Sequence, residues 1–498
     1  MNRYKNPSAL LTAAGVLLVA LPQYVRASDI DDLSQKVKDL SAQVEQLKKQ
    51  QDAAAATKPG APAPTTPQPI WRPWSTPANP KEPGPAVNNG PLSATIMGAT
   101  FTIYGDIDVY ANHMTSDSGH TINALEDGAI LRSRWGLKGD KPVAPGYEMK
   151  FTLESGFNTL NGKLADQPST SSITSTSTVN PTTGAVTTTS TASSYGGRLF
   201  DRQAWVGLLT PIGEFRVGRQ NTTIQQLGGE IDFAARNLGG VINLFGVPSR
   251  YDSDLSFLSV RFGGFSTQLH YSLGGTAVTN SVNGNISNIG NQKVWQVMGD
   301  YKNGPFTVGY MEIVGAPPAG GTNATPPKYA TSVVYQNPYV NYDYGKGKVW
   351  FATVHSNNNG ANGALFNGGS PLGNVGPNAS TTTGTLNTGN LVDLNTYYNI
   401  YQGSASYIIT DKLVVGALYG WIRDITYHAK NAHGYAAGAF YDVFKDTHTY
   451  FMYDVIHNDR GAGFTQAASA GLSPNFTAAN DVNGRKITGV QLGVMYNF

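Results

Sequence analysis

The chain has 498 residues, too many for one ordinary soluble core, with 57 glycines, 26 tyrosines and only 14% charged residues. A formal charge of +2 gives no electrostatic case for nucleic acid, and the absence of cysteine excludes a disulfide framework and thiolate metal sites. No uninterrupted apolar run of about 18 residues follows residue 27, which argues against a helical membrane span, whereas a hydrophobic share of 40% suits a sheet with one apolar face.

Arg3 and Lys5 precede an apolar run over 9–21, and Val25-Arg26-Ala27 closes it, the pattern of a secretory signal over 1–27 cleaved after Ala27. Its removal leaves 32 bases against 33 acids. Within 28–51, Ile30, Leu33, Val37, Leu40, Val44 and Leu47 keep a heptad seam, which predicts a short α-helical coiled coil, a lone amphipathic helix being the alternative. So few heptads are marginal alone, and something else must bring copies together. Residues 52–98 read as a disordered linker rich in Ala, Pro and Thr, with ten prolines between 59 and 85 that rule out helix and sheet. At roughly 3 Å per residue it reaches on the order of 100 Å.

From 99 to 498 the pattern changes to alternation. Phe101, Ile103, Ile107 and Val109 alternate with Thr102, Tyr104, Asp106 and Asp108. Similar segments recur as hairpins at 133–139 with 147–157, 199–209 with 214–219, 251–262 with 265–271, 294–301 with 306–313, 332–344 with 348–355, 397–409 with 412–423 and 435–444 with 448–456. Tight turns join the members of each pair, and long polar stretches separate the pairs. In the last segment, Val490, Leu492, Val494, Tyr496 and Phe498 share one face, while Gly489, Gln491, Gly493 and Asn497 share the other with Met495 out of type. The fold class is all-β: a transmembrane antiparallel β-barrel of about sixteen strands, lipid outside, water inside and no free sheet edge. Tyr301, Tyr310, Trp350, Tyr407, Trp421 and Tyr453 suit aromatic girdles at the membrane faces.

After Phe215-Arg216-Val217-Gly218-Arg219 comes a stretch rich in Gly and apolar residues, from Thr222 to Arg250. Such a segment is poorly suited to solvent and is expected to fold inward against the wall, with Glu230 and Asp232 facing the lumen. No Ser-His-acid spacing stands out, so enzyme activity is not expected, and no cofactor or metal is called for.

Here the chain resembles the trimeric general diffusion porins of Gram-negative outer membranes. The resemblance rests on SRWGLKG at 133–139, LESGFN at 153–158, LFDRQAWVGL at 199–208, FRVGRQ at 215–220, Gly-Gly-Glu at 228–230, RYDS at 250–253, FGGFS at 262–266 and the closing Tyr496-Asn497-Phe498. It implies a sixteen-stranded barrel, a homotrimer set in outer-membrane lipid and lipopolysaccharide, and a third loop folded into the pore opposite an arginine cluster. It further implies that Tyr496 and Phe498 form the signal read by the barrel-assembly machinery. Carried onto this chain, the pore constriction comprises Arg134, Arg202, Arg219, Arg250 and Glu230, to which Asp232 is added from its place in the loop. Alternation places Arg134 opposite Trp135 and Arg202 opposite Trp205, whereas Arg219 shares parity with Val217, a lipid-facing position. Related porins can carry lysine after the Tyr-Gly of the first strand; this chain has Asp106, which leaves a preference for anions open. The implied function is passive diffusion of small hydrophilic solutes and ions. A sugar- or anion-selective channel and an envelope tether reaching peptidoglycan through the periplasmic N-terminal segment are the alternatives.

Overall fold

The computed structural model describes residues 92–164, 172–179, 186–193, 199–235, 239–242, 250–273, 294–315, 333–357, 397–425, 430–469, 474–476 and 478–498. The expected signal peptide, the coiled coil and the linker up to residue 91 lie outside the described residues.

In chain order the strands are β1 (Ser93–Ile96), β2 (Ala99–Ser116), β3 (Thr121–Asp127), β4 (Arg134–Ala144), β5 (Tyr147–Gly156), β6 (Ser172–Val179), β7 (Val186–Ser193), β8 (Gln203–Thr210), β9 (Gly213–Asn221), β10 (Arg250–Ser259), β11 (Phe265–Ser272), β12 (Val294–Asn303), β13 (Phe306–Gly315), β14 (Val333–Asp343), β15 (Lys348–Ser356), β16 (Tyr398–Thr410), β17 (Leu413–Asp424), β18 (Ala432–Phe444), β19 (Thr447–Asn458) and β20 (Lys486–Asn497). Among the described residues three short helices occur, α1 (Thr223–Gln226), α2 (Gly228–Ile231) and α3 (Ala479–Val482).

Following the pairings from β2 through β4, β5, β8, β9 and β10 to β20 returns to β2, so the sheet closes as a ring of sixteen antiparallel strands. The long β2 organises the seam. Its first half pairs with β4 and its second half with β3 on one side, while β1 and β20 share the other side. Asp106 is the pivot, opposite Arg134 of β4 and Asn497 of β20. Closure is completed by Phe498, whose N–H and C=O exchange hydrogen bonds with Gly105 at 3.0 and 2.9 Å. β1 was expected to belong to the linker; its ladder to β2 makes it part of the barrel.

Alternation sorts the side chains as a membrane wall requires. On β20, Leu492, Val494 and Tyr496 are exposed on the outer face, and Gln491 and Met495 are buried on the inner face. Short turns, such as 145–146, 211–212 and 411–412, fall at one end together with the chain terminus, and the long connections fall at the other. Rings crowd the outer face near the short-turn end, where Phe265 meets Tyr301 at a tilt with centroids 4.4 Å apart and Phe306 meets Tyr342 in the same way at 4.5 Å. Trp350 does not join a girdle. It faces inward, buried, and its indole N–H donates to the carbonyl of Gly229. Within the long Ser/Thr-rich connection from β5 to β8, β6 and β7 pair from Ser172 opposite Ser193 to Val179 opposite Val186.

Candidate functional site

The connection from β9 to β10 turns into the barrel. Thr222 caps α1 by accepting from the N–H of Gln225, and α2 follows at once. Ile224, Leu227, Ile231, Phe233, Ala234, Val241 and Ile242 are all buried in a core shared with inward residues of the wall. The wall is shaped to receive them. Phe233 lies over Gly416, where a Cβ would collide with its ring, and meets Phe440 edge-on at 6.2 Å. Backbone groups that leave water in this segment are satisfied by wall side chains. The N–H of Thr223 donates to the side chain of Gln296, that of Phe233 to the hydroxyl of Ser404, and that of Ile242 to the side-chain oxygen Oε1 of Gln402.

The two carboxylates of the loop have different fates. Asp232 is 0% exposed; it accepts from the Gln402 amide at 2.8 Å and from the N–H of Ala234 at 2.9 Å, so it fastens the loop instead of facing the lumen. Glu230 keeps 26% of its side-chain surface and is bound by Lys348 at 2.8 Å and Asn341 at 2.7 Å. Burial raises its pKa, but the Lys348 ammonium and the Asn341 amide outweigh burial and hold the carboxyl below its ordinary range.

Across the ring the wall is basic. β5 and β15 stand eight strands apart in the circle of sixteen, hence on opposite sides. Arg134 pairs with Asp106 at 2.7 Å and lies 3.8 Å from Glu154, while Trp135 points outward. Arg202 binds Glu154 at 2.6 Å. Arg202 precedes β8, however, and Trp205 is itself on the inner face beneath Arg216, whose guanidinium lies 4.2 Å from the ring. The parity argument from Trp205 therefore fails, although the arginine still reaches the cluster. Arg219 keeps the parity of Val217, since Gly218 and Gln220 stay on one face of β9, but the ladder slip between Tyr251 and Asp254 adds a residue to β10 opposite it and sets Asp252 within its reach. Its guanidinium binds Asp252 at 2.6 Å and the carbonyl of Asp201. Arg250 lies within the electrostatic reach of Arg202, Glu154, Arg219 and Arg132, and its Nε and Nη2 have no hydrogen-bond partner among the described residues.

The structure thus gathers Arg134, Arg202, Arg219 and Arg250 and places Glu230 on a loop held by the opposite wall. Sequence reasoning missed Arg132, which meets Asp201 at 3.6 Å, and the acids Glu154 and Asp252, although both stood inside LESGFN and RYDS. It also missed a second inward segment. Between β19 and β20, Phe464 packs edge-on against Tyr398 at 6.2 Å, Asn458 brackets the Phe464 backbone, and Gln466 donates to Asp454. Ser469 then reaches the connection between β3 and β4, its N–H donating to the carbonyl of Ala129 and its hydroxyl accepting from the N–H of Arg132.

Comparisons with known proteins agree with this architecture. The Gram-negative porin family matches residues 86–461. An outer membrane porin protein of Bordetella pertussis is 27% identical over 180 residues, a match that takes in 34% of this chain and only 39% of that relative's length. Among solved structures, the anion-selective porin from Comamonas acidovorans superposes with a TM-score of 0.55 at 18% identity, over 80% of this chain and 100% of that one. OmpF of Salmonella typhi, in complex with daunomycin, gives 0.50 at 14% identity over 82% and 100%. At these identities the two structures speak for the fold.

Proposed function

The chain belongs to the Gram-negative porin family, and from that premise we propose that it forms a water-filled channel in the outer membrane for passive diffusion of small hydrophilic solutes and ions. The family and the relative are both named as porins, which describes a channel and not an enzyme. The observation that carries the reading is a closed wall, apolar outside, whose inner space is narrowed by a loop bearing Glu230 opposite an arginine cluster.

Arg134, Arg202, Arg219 and Arg250 on one side and Glu230 on the other set a field across the narrowing that orients water and dipolar solutes and disfavours apolar ones. Guanidinium groups stay charged at any working pH, so the field varies mainly through its acids. Asp232 acts in this scheme by holding the loop. A specific observation favours the anion-selective variant: Arg132, Arg134, Arg202 and Arg219 each meet an acid of the wall, whereas Arg250 has no such ion pair among the described residues.

The proposed assembly is a homotrimer surrounded by outer-membrane lipid, with Tyr496 and Phe498 as the strand end that the barrel-assembly machinery reads. β1 enters at the short-turn rim, which in such barrels is periplasmic, so residues 1–91 less the signal would lie toward the peptidoglycan. Purified protein in a planar bilayer is expected to give stepwise conductance, and liposomes containing it to swell in small sugars. Material that stays soluble without detergent, or passes no ions, refutes the proposal.

A further inference from the structure

The second inward segment joins the two parts that narrow the lumen. At one end it meets the first inward loop over Asp454 of β19. Gln466 donates to Oδ1 of this carboxyl, and a side chain at Gly239 of the first loop would strike Ala436 and meet Asp454. At the other end the hydroxyl of Ser469 accepts from the N–H of Arg132, which stands among the arginines. Asn475 steadies the stretch between by donating to the backbone carbonyl of Gln466 at 3.1 Å. The first loop is held by side chains of β12 and β14 to β18, and the arginines come from β4, β9, β10 and the approaches to β4 and β8. The second segment covers the arc that remains, from β19 past β20 to β2 and β3.

Asp454 is an acid without a base. It is 2% exposed, and no charged group among the described residues lies within its electrostatic reach. Ala436 of β18 and Gly489 of β20 stand opposite it, Met452 and Ile456 flank it on β19, and Tyr453 belongs to the other face. Beside it is Gln491, whose amide donates to Asn112 at 3.1 Å, and Asn112 donates in turn to Glu126 at 2.8 Å. Gly489 makes the room, since a side chain there would strike both Gln466 and Gln491. Three buried oxygens have no hydrogen-bond partner among the described residues: Oδ2 of Asp454 and the side-chain oxygens of Gln466 and Gln491. A carboxylate here would be a buried charge with only acceptors about its second oxygen, which is costly. One proton on Oδ2 removes the charge and supplies a donor, with two amide oxygens open to receive it.

We propose that Asp454 is a positioning residue for solute size: held as a neutral acid, it pairs with Gln466 and keeps the second inward segment against the wall as one side of the narrowing. Loss of that proton to solvent leaves a buried charge, which draws water between segment and wall and widens the opening. The inference rests on the lumen being the solute path.

The test uses the full chain, purified in detergent and reconstituted in liposomes. Infrared difference spectra of the intact protein against D454N isolate this one carboxyl. A protonated-carboxyl band is expected at neutral pH, where exposed aspartates, with a pKa of about 3.9, are ionised. The band is expected to vanish at alkaline pH, and the size limit for sugars in liposome swelling to shift upward with its loss. D454N can exchange the same pair of hydrogen bonds with Gln466 without a proton, so it is expected to keep the neutral-pH size limit at every pH. D454L cannot pair and is expected to show the alkaline size limit throughout. Absence of any protonated-carboxyl band from the intact protein at neutral pH overturns the proposal whether or not the variants fold. So does an intact protein whose size limit is the same at neutral and alkaline pH, or a D454N whose limit follows pH as the intact protein's does. A protein that shows the band but passes no solute at any pH would instead count against the channel reading.

Discussion

Lys348 of β15 holds the carboxylate of Glu230 at 2.8 Å, and Asn341 of β14 donates to the same oxygen at 2.7 Å, so one acid of the inward loop is anchored by two neighbouring strands. Burial pushes the Glu230 pKa up, but Lys348 and Asn341 bring it below the ordinary value. A depressed carboxyl lends its stabilisation fully above the pKa of the freed group, about 4.3, and loses it as pH falls through the lower bound-state value. Single-channel traces are therefore expected to be quiet from neutral pH to about 4.5 and to flicker at more acid pH. E230Q should flicker already at pH 7 and lose this pH dependence. A quiet E230Q trace at neutral pH would show that the pair does not secure the loop.

Phe233 and Gly416 make the apolar half of the same attachment, since the ring fills the space that a side chain at 416 would need. Removing a buried phenyl ring costs about 3–5 kcal/mol, here of loop docking and not of barrel stability. F233A is expected to raise the size limit for sugars in liposome swelling, and G416V to do the same by displacing the ring. The exclusion limit staying put in both variants would mean that the loop does not set it.

Much of the wall could be read from alternation alone, because parity on a strand is a local property: Leu492, Val494 and Tyr496 of β20 face out, and even Met495 obeys its position and not its chemistry. The arginine positions were only partly legible. Arg202 depended on where β8 begins, and Arg219 on a bulge of β10 that sets Asp252 beside it, and neither is written in residue type. The inward loop was legible from its apolar content. Which of its acids faces water was not, because that is decided by Lys348 and Gln402, 118 and 170 residues further along the chain. The second inward segment was missed for a related reason: its large apolar anchors Phe464 and Phe476 stand apart in the chain, and polar partners such as Asn458 and Asp454 hold the stretch around Phe464.

Arg250 and Arg134 sit in one cluster but in different company, and this separates their effects on selectivity. Arg134 is matched by Asp106 at 2.7 Å, whereas Arg250 has no hydrogen-bonded acid among the described residues. A unit charge about 8 Å from the ion path in water-like dielectric is worth ~0.5 kcal/mol, with opposite sign for anion and cation. R250Q is thus expected to lower the chloride-to-potassium permeability ratio by about sixfold, read as a shift of reversal potential in a salt gradient. R134Q frees Asp106 as well and lowers the ratio too. An R250Q reversal potential equal to that of the unaltered protein would remove this residue from the ion path.

The closing seam offers a test of the barrel itself. Tyr450 of β19 reaches over Gly493 of β20 to donate to Asp108 of β2 at 2.7 Å, and a Cβ at position 493 would strike its ring. Three consecutive strands are tied by this one contact, since β20 pairs with β19 on one side and β2 on the other. The remaining oxygen of Asp108 accepts from the N–H groups of Ile130 and Leu131, so losing the phenol weakens the site without emptying it. The net worth of an intramolecular hydrogen bond is ~0.5–1.5 kcal/mol. Y450F should lower the unfolding free energy of the detergent-folded barrel by that amount, read as a fall in urea midpoint at unchanged slope, and G493V should lower it further, because the valine must also move the ring. The double variant should be no worse than G493V alone, since both changes act on the same contact. Strict additivity in that cycle would show that the tyrosine and the glycine are not a unit and that the seam is held elsewhere.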